Sequence, residues 1–390
     1  MTPQADRERF IVRILRASGD VPAGVGFLVG GRRLITCAHV VNTALGRGPR
    51  AQERPSAETV IRVQFPLLDG ERTTTRTARP ASWTPPPLSG VLGGDVAGLL
   101  LDEPPPESAR CARLLGKETN WGREVYLYGF PGDPPRRERG FWATGTLRGR
   151  VGAGVLQIDK ATESALRTQP GYSGTPVVVV DGGDGDRVTG MLAVAGADSE
   201  IKDAYALSVH HLSECWPEAS VLASHPGAHP AAQAFFRRRL DNLLREAPSA
   251  CSLTFPEQIS GEKWGLFRSK VNLEVARDDV LALWGDIGFL KVGVGVAFLR
   301  HSIVLRYFKT VSVPYADLPD YEVAVNYRHS STYGRRYRGV KLVKDGISYE
   351  ASPWFRGSDG WKEQNAREAM VKLIRGVTSL MTGEAATGID

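Results

Sequence analysis

Cysteine is scarce and dispersed in this chain. Cys37, Cys111, Cys215 and Cys251 are its four cysteines among 390 residues, and no two stand as a CxxC pair. Neither a disulfide framework nor a cysteine-based zinc module is indicated, and a reducing, cytoplasmic setting fits better. Long apolar runs are also missing: no stretch of about 18 apolar residues is present, so no membrane span is expected. Residues 1–8 carry Asp6, Arg7 and Glu8 where a signal peptide would need an apolar core. A dominant charge is absent as well, because the net +6 is shared evenly along the chain. Charge therefore singles out no nucleic-acid-binding domain.

What is there is enough for real cores. At 390 residues with 42% hydrophobic side chains, the chain has room for two or three domains. Three short segments then stand out for their chemistry. In the first, apolar residues 24–29 lead through Gly30-Gly31 into Arg32-Arg33-Leu34-Ile35-Thr36-Cys37-Ala38-His39, which predicts a β-hairpin whose second arm delivers His39 at its end. In the second, Gly93-Gly94-Asp95 opens the apolar run Val96-Ala97-Gly98-Leu99-Leu100-Leu101. An acid at the mouth of a buried strand can hold a histidine by one ring nitrogen and stabilise the imidazolium formed during reaction. In the third, Gly171-Tyr172-Ser173-Gly174-Thr175-Pro176 precedes four valines. Small residues beside Ser173 leave room for backbone N–H groups to converge on an oxyanion, each worth ~2.7–4 kcal/mol in the transition state. A serine hydroxyl is a weak nucleophile that needs a base within reach and a third group orienting that base. His39, Asp95 and Ser173 supply all three parts.

One rival arrangement also uses a glycine-flanked serine. The nucleophile elbow of α/β-hydrolases reads Gly-x-Ser-x-Gly, puts a helix after the serine and runs Ser, Asp, His along the chain. Here Thr175 takes the final glycine's place, and Pro176 with its valines predicts a strand.

Together, Thr36-Cys37-Ala38-His39, Asp95-Val96-Ala97-Gly98-Leu99 and Gly171-Tyr172-Ser173-Gly174-Thr175-Pro176 resemble the signatures of trypsin-like (chymotrypsin-fold) serine peptidases, in the style of bacterial members without disulfides. The segment Val125-Tyr126-Leu127-Tyr128-Gly129-Phe130-Pro131-Gly132 resembles the strand and glycine turn that opens the second barrel of that family. The likeness spans roughly residues 9–215. It implies a mainly β fold of two six-stranded antiparallel barrels with the site in the crevice between them. It further implies His39 as general base and then acid, Asp95 as its orienter, Ser173 as nucleophile, and the N–H groups of Gly171 and Ser173 as oxyanion hole. No cofactor or metal is implied, and the expected substrate is a protein or peptide.

Two departures from the family pattern matter. Tyr172 stands where members activated by N-terminal trimming carry an aspartate, which argues against that mode of activation. Val40 replaces a cysteine after the histidine, leaving Cys37 without an obvious partner. By the same resemblance Arg167 falls at the base of the pocket for the side chain preceding the cut, where a guanidinium would favour an acidic residue; alternatively it pairs with Glu163 on the surface. The strand around Ala193, Val194 and Ala195 is expected to receive the substrate as an added β-strand. Residues 43–56 and 83–94 read as flexible or polyproline-like loops bordering the cleft.

Residues 217–230 read as a linker, followed by an amphipathic helix over 231–246 with Phe235, Phe236, Leu240, Leu243 and Leu244 on one face. From 251 to 390 a separate α+β domain is expected, with strands at 273–276, 292–299, 303–308, 321–327 and 340–343 and a closing helix over 361–381. Its patch from Tyr327 to Arg338 interleaves basic and aromatic residues and is expected to be an exposed hairpin more than a nucleic-acid site. His210, His211 and Cys215 match metal spacing only faintly. The functional expectation is an intracellular serine endopeptidase in residues 1–216, regulated or targeted through 251–390, which would bind a partner protein. The alternatives are an inactive protease-fold scaffold and a C-terminal ligand- or nucleic-acid-binding effector controlled by the protease.

Overall fold

The computed structural model describes residues 7–68, 74–88, 93–115, 122–132, 139–160, 171–181, 185–195, 203–219, 222, 225, 228–251, 253–261, 264–265, 277–284, 295–306, 310–329, 336–344, 346–351 and 360–382. Contacts along the chain divide it into two compact units, Met1–Phe235 and Phe236–Asp390.

The first unit holds two closed antiparallel barrels of six strands each. Barrel one is built from β1 (Ile11–Leu15), β2 (Pro22–Gly30), β3 (Arg33–Thr36), β4 (Ile61–Gln64), β5 (Arg76–Thr84) and β6 (Val96–Leu101). Barrel two uses β7 (Glu124–Gly129), β8 (Phe141–Gly152), β9 (Val155–Lys160), β10 (Pro176–Asp181), β11 (Gly185–Ala195) and β12 (Asp203–Ser208). The connectivity is the same in both. Barrel one runs β1-β2-β3-β6-β5-β4, barrel two runs β7-β8-β9-β12-β11-β10, and each closes by pairing its first strand with its fourth. Closure removes the open edges that a six-stranded antiparallel sheet would otherwise leave to solvent or aggregation.

Strand alternation fills each barrel. Val125 and Leu127 of β7, and Val177 and Val179 of β10, point into a core shared with Leu147, Ile158, Leu192 and Tyr172. The expected hairpin at the start of the chain is present, with Gly26 opposite Thr36 and Leu28 opposite Leu34. Strand β3 stops at Thr36, however, and His39 lies in the first turn of a short helix, α1 (Ala38–Ala44), rather than on the strand. The loop after α1 is held more firmly than its composition suggests. The buried Asn42 side chain donates to the carbonyls of Pro49 and Ala51, and the Trp83 indole donates to Gln52 O.

After β12 the chain forms α2 (Val209–Cys215), capped by the Ser208 hydroxyl. It then returns to barrel one: the Trp216 ring lies over Gly98 of β6, where a Cβ would come within 2.6 Å of it, and Ser82 Oγ donates to Cys215 O at 3.1 Å. The amphipathic helix is α3 (Pro230–Arg245), burying Phe236, Leu240 and Leu244 and exposing Arg237, Arg238 and Arg239.

The second unit contains a five-stranded sheet of β13 (Leu253–Thr254), β14 (Val280–Trp284), β15 (Gly295–Leu299), β16 (Ser302–Arg306) and β17 (Thr310–Pro314), joined in sequence order. A three-stranded sheet follows, made of β18 (Glu322–His329), β19 (Arg336–Lys344) and β20 (Ile347–Ala351). Helix α4 (Gly360–Thr382) packs on β18 and β19 through a face that includes Met370, Leu373, Ile374 and Val377, all buried. Tyr327 and Arg338 are register partners in the antiparallel pair of β18 and β19. The strand expected at 273–276 lies outside the described residues, whereas β14, which the sequence reading passed over, is fully buried. No described helix is long and apolar enough to cross a membrane.

Candidate active site

The acid of the site sits on a strained turn. Gly93, Gly94 and Asp95 have φ values of 138°, 69° and 58°, and Asp95 is the one non-glycine residue among those described with positive φ. Such a conformation costs on the order of 1–3 kcal/mol and persists only where neighbours over-determine it. Here they do: Asp95 N donates to Pro85 O at 3.0 Å and Ala38 N donates to Asp95 O at 3.3 Å. A side chain at position 94 would meet Pro85 O at 2.9 Å, which fixes glycine there.

This turn aims the Asp95 carboxylate at His39 through two contacts. Oδ1 accepts the His39 backbone N–H at 2.9 Å, and Oδ2 lies 2.6 Å from the ring Nδ1. The Asp95 side chain is 7% exposed and the His39 side chain 25%, so the pair is largely shielded while the imidazole keeps one edge open. With Nδ1 committed to the carboxylate, Nε2 is left as the proton-accepting nitrogen.

Ser173 comes from barrel two, but its turn is fastened to barrel one. Val25 N of β2 donates to Ser173 O at 2.9 Å. Gly174 has φ 84°, and a Cβ there would sit 2.0 Å from Val25 O, so only glycine allows this approach. Thr36 Oγ1 donates to the same Val25 carbonyl at 2.6 Å. Gly171, at φ 109°, is similarly pressed against Phe130, whose N–H donates to Gly171 O at 2.9 Å. Neither Gly171 N–H nor Ser173 N–H donates to another described residue, which leaves both available to a bound oxyanion. Between them Tyr172 turns inward and is fully buried in the core of barrel two; burial pushes its phenol up to about 12. Tyr172 offers no carboxylate there to pair with an ammonium.

Cys37 completes the floor of the site. Its sulfur donates to Leu192 O at 3.4 Å, a carbonyl that also accepts Gly174 N at 2.8 Å. One atom of barrel two thus ties together the strand leading to His39 and the turn carrying Ser173. Burial, then the neighbouring Asp95 carboxylate, hold the Cys37 thiol well above its ordinary pKa. The ligand-type atoms of Cys37, His39 and Asp95 all lie within 4.8 Å of one another. Nδ1 and the thiol are both engaged in hydrogen bonds, to Asp95 Oδ2 and Leu192 O.

Around this centre, β11 is paired with β10 as far as Met191 and with β12 from Gly190 to Ala195, so Val194 and Ala195 have a strand partner on the β12 side alone among the described strands. A bulge between Leu192 and Val194 sets Ala193 apart, with its side chain buried. Arg167 lies outside the described residues. The sequence reading missed Val25, Thr36 and Leu192 as supports of the Ser173 turn. The sole signal for them was adjacency to the motifs.

These barrels and this site define a two-barrel, trypsin-type domain. Residues 24–191 match the model of the trypsin-like peptidase domain, and this part of the chain is such a domain. Among solved structures, the chain is similar to the crystal structure of Rv3671c from M. tuberculosis H37Rv, an inactive form carrying a serine-to-alanine mutation. The identity is 18%, the TM-score 0.36, and the match covers 57% of this chain and 92% of that one. No curated protein matches the sequence.

Proposed function

We propose that this protein is a serine endopeptidase acting through His39, Asp95 and Ser173. The observation that carries the reading is the 2.6 Å contact between His39 Nδ1 and Asp95 Oδ2 in a trypsin-like peptidase domain whose Ser173 turn is bolted to the same barrel. In the reaction, His39 Nε2 takes the Ser173 hydroxyl proton as Oγ bonds to the scissile carbonyl carbon. The oxyanion so formed is received by the N–H groups of Gly171 and Ser173. The C–N bond then breaks, His39 gives its proton to the leaving amine, and an acyl-enzyme remains. Water attacks that ester with His39 again as base, releasing the acid and restoring Ser173. Asp95 keeps the imidazole in the Nδ1–H form and stabilises the imidazolium without itself taking the proton.

The substrate chain would lie along the open side of residues 193–195 as an added strand. A preference for an acidic side chain before the cut rests on Arg167. Residues 251–390 would regulate the enzyme or bring it its target, and a reducing, cytoplasmic compartment suits the four free thiols. Labelling by a fluorophosphonate probe tests the core of the reading. Wild type is expected to label while Ser173→Ala and His39→Ala do not; an unlabelled wild type that also cleaves no peptide library would overturn it.

A further inference from the structure

Outside the triad, a histidine makes a contact with the turn of Asp95 that no motif foretells. His211, on α2, accepts the Gly94 N–H at its Nε2 at 3.1 Å. Gly94 directly precedes Asp95, and both have positive φ. We propose that His211 is a positioning residue for the triad: its unprotonated Nε2 holds the Gly94–Asp95 turn in the strained form that aims the Asp95 carboxylate at His39, and releases it on protonation.

The ring is set up for this duty. To accept from Gly94, Nε2 must carry a lone pair, so the neutral tautomer has its proton on Nδ1, where Glu214 Oε2 lies 3.4 Å away to receive it. The Cys215 sulfur also sits 3.5 Å from Nε2, a second group able to donate to the same lone pair. Helix α2 is itself fixed against barrel one by Ser82 Oγ on Cys215 O and by the Trp216 ring on Gly98. The imidazole is clamped from behind by Gly154, where a Cβ would meet His211 Cβ at 2.6 Å. A rigid helix thus presents one acceptor to a turn that cannot relax by itself.

Protonation reverses the contact. An imidazolium has N–H groups at both positions, so Nε2–H would face Gly94 N–H, donor against donor. The groups that bear on this titration are Glu214, which favours the proton, His210, which disfavours it, and Cys215. His229 lies 4.0 Å from Glu214 and packs edge-on to His210 at 5.1 Å between centroids. Burial outweighs Glu214 and lowers the His211 pKa from its ordinary value. The ring therefore stays a competent acceptor at neutral pH and loses that role in the acid range.

The kinetic part of the test rests on the proposed peptidase reading, whereas its spectroscopic part does not. Full-length His211→Leu and His211→Gln are compared with wild type by fluorophosphonate capture rate against pH and by the far-downfield proton resonance of the His39 Nδ1–H···Asp95 bond, with thermal melting as a check of the fold. His211→Leu is expected to lose or shift the resonance and to slow capture at least about tenfold, the scale of a slightly misplaced reacting group. His211→Gln keeps a carbonyl acceptor that does not titrate, so it is expected to restore the resonance and capture within about threefold at neutral pH. Its acidic limb should be less steep than that of wild type, because the acceptor at position 211 no longer titrates. An unchanged resonance and rate in His211→Leu would overturn the proposal, as would a wild-type-like acidic limb in His211→Gln. If wild type captures no probe, the peptidase reading falls, and the resonance in the three proteins still decides whether His211 positions Asp95.

Discussion

Barrel one and barrel two share their connectivity but not their manner of holding a reacting group. In barrel one, Asp95 and His39 are locked to each other and to the neighbouring chain by the Asp95 carboxylate, by Pro85 O and by Ala38 N. In barrel two, Ser173 sits on a turn whose firmest supports, Val25 N and the close approach of Gly174 to Val25 O, belong to the other barrel. The His39–Asp95 half thus takes its firmest supports from its own barrel, with further ties from Leu192 O and His211, whereas the Ser173 turn takes its firmest supports from the other barrel. Placing Ser173 depends on barrel docking, while the His39–Asp95 pair depends on the strained turn at Asp95.

That contrast can be broken from either side. The largest effect is expected from Asp95→Asn, which keeps shape but favours the wrong imidazole tautomer. Turnover should fall by about 10⁴-fold with little change in melting, and steady-state kinetics on a cleaved peptide would measure it. Next comes Gly174→Ala, where a methyl would clash with Val25 O at 2.0 Å in a positive-φ residue. Separation of the barrels at this point is expected to cost on the order of 3 kcal/mol, read by denaturant unfolding, and to abolish fluorophosphonate labelling. Equal labelling of this variant and wild type would show that Ser173 does not depend on barrel one.

Thr36→Val removes the hydroxyl that donates to Val25 O at 2.6 Å inside the junction. A loss of about 1–2 kcal/mol is expected, with the labelling rate reduced far less than in Gly174→Ala. The smallest effect should come from Cys37, whose thiol is held protonated by burial and by Asp95. Its raised pKa contributes stability that is complete below the ordinary thiol value and is lost as pH rises through the folded value. Wild type should thus lose stability on the alkaline side more steeply than Cys37→Ala, as melting followed across that range would register. Native Cys37 should also resist alkylation at neutral pH.

Much of this was readable from the chain. The hairpin from Pro22 to Thr36, the strands at Val96 and Pro176, and the roles suggested for His39, Asp95 and Ser173 follow from apolar alternation, glycine turns and local residue chemistry, all of which act over a few neighbours. The amphipathic patterns of α3 and α4 were equally local. Strand β14, by contrast, is buried on every residue and shows no alternation to mark it. The bonds that tie the motif segments to distant parts of the chain are of another kind. Cys37 reaches Leu192 across 155 residues and Gly94 reaches His211 across 117. The strain at Asp95 is likewise tolerated because Pro85 O and Ala38 N brace it. Sequence by itself determined which side chains can do the chemistry and on what elements they ride, since propensity and patterning are short-range. Tertiary structure alone decided how they are aimed, because aiming is done by contacts between segments that only closure and docking of the two barrels bring together.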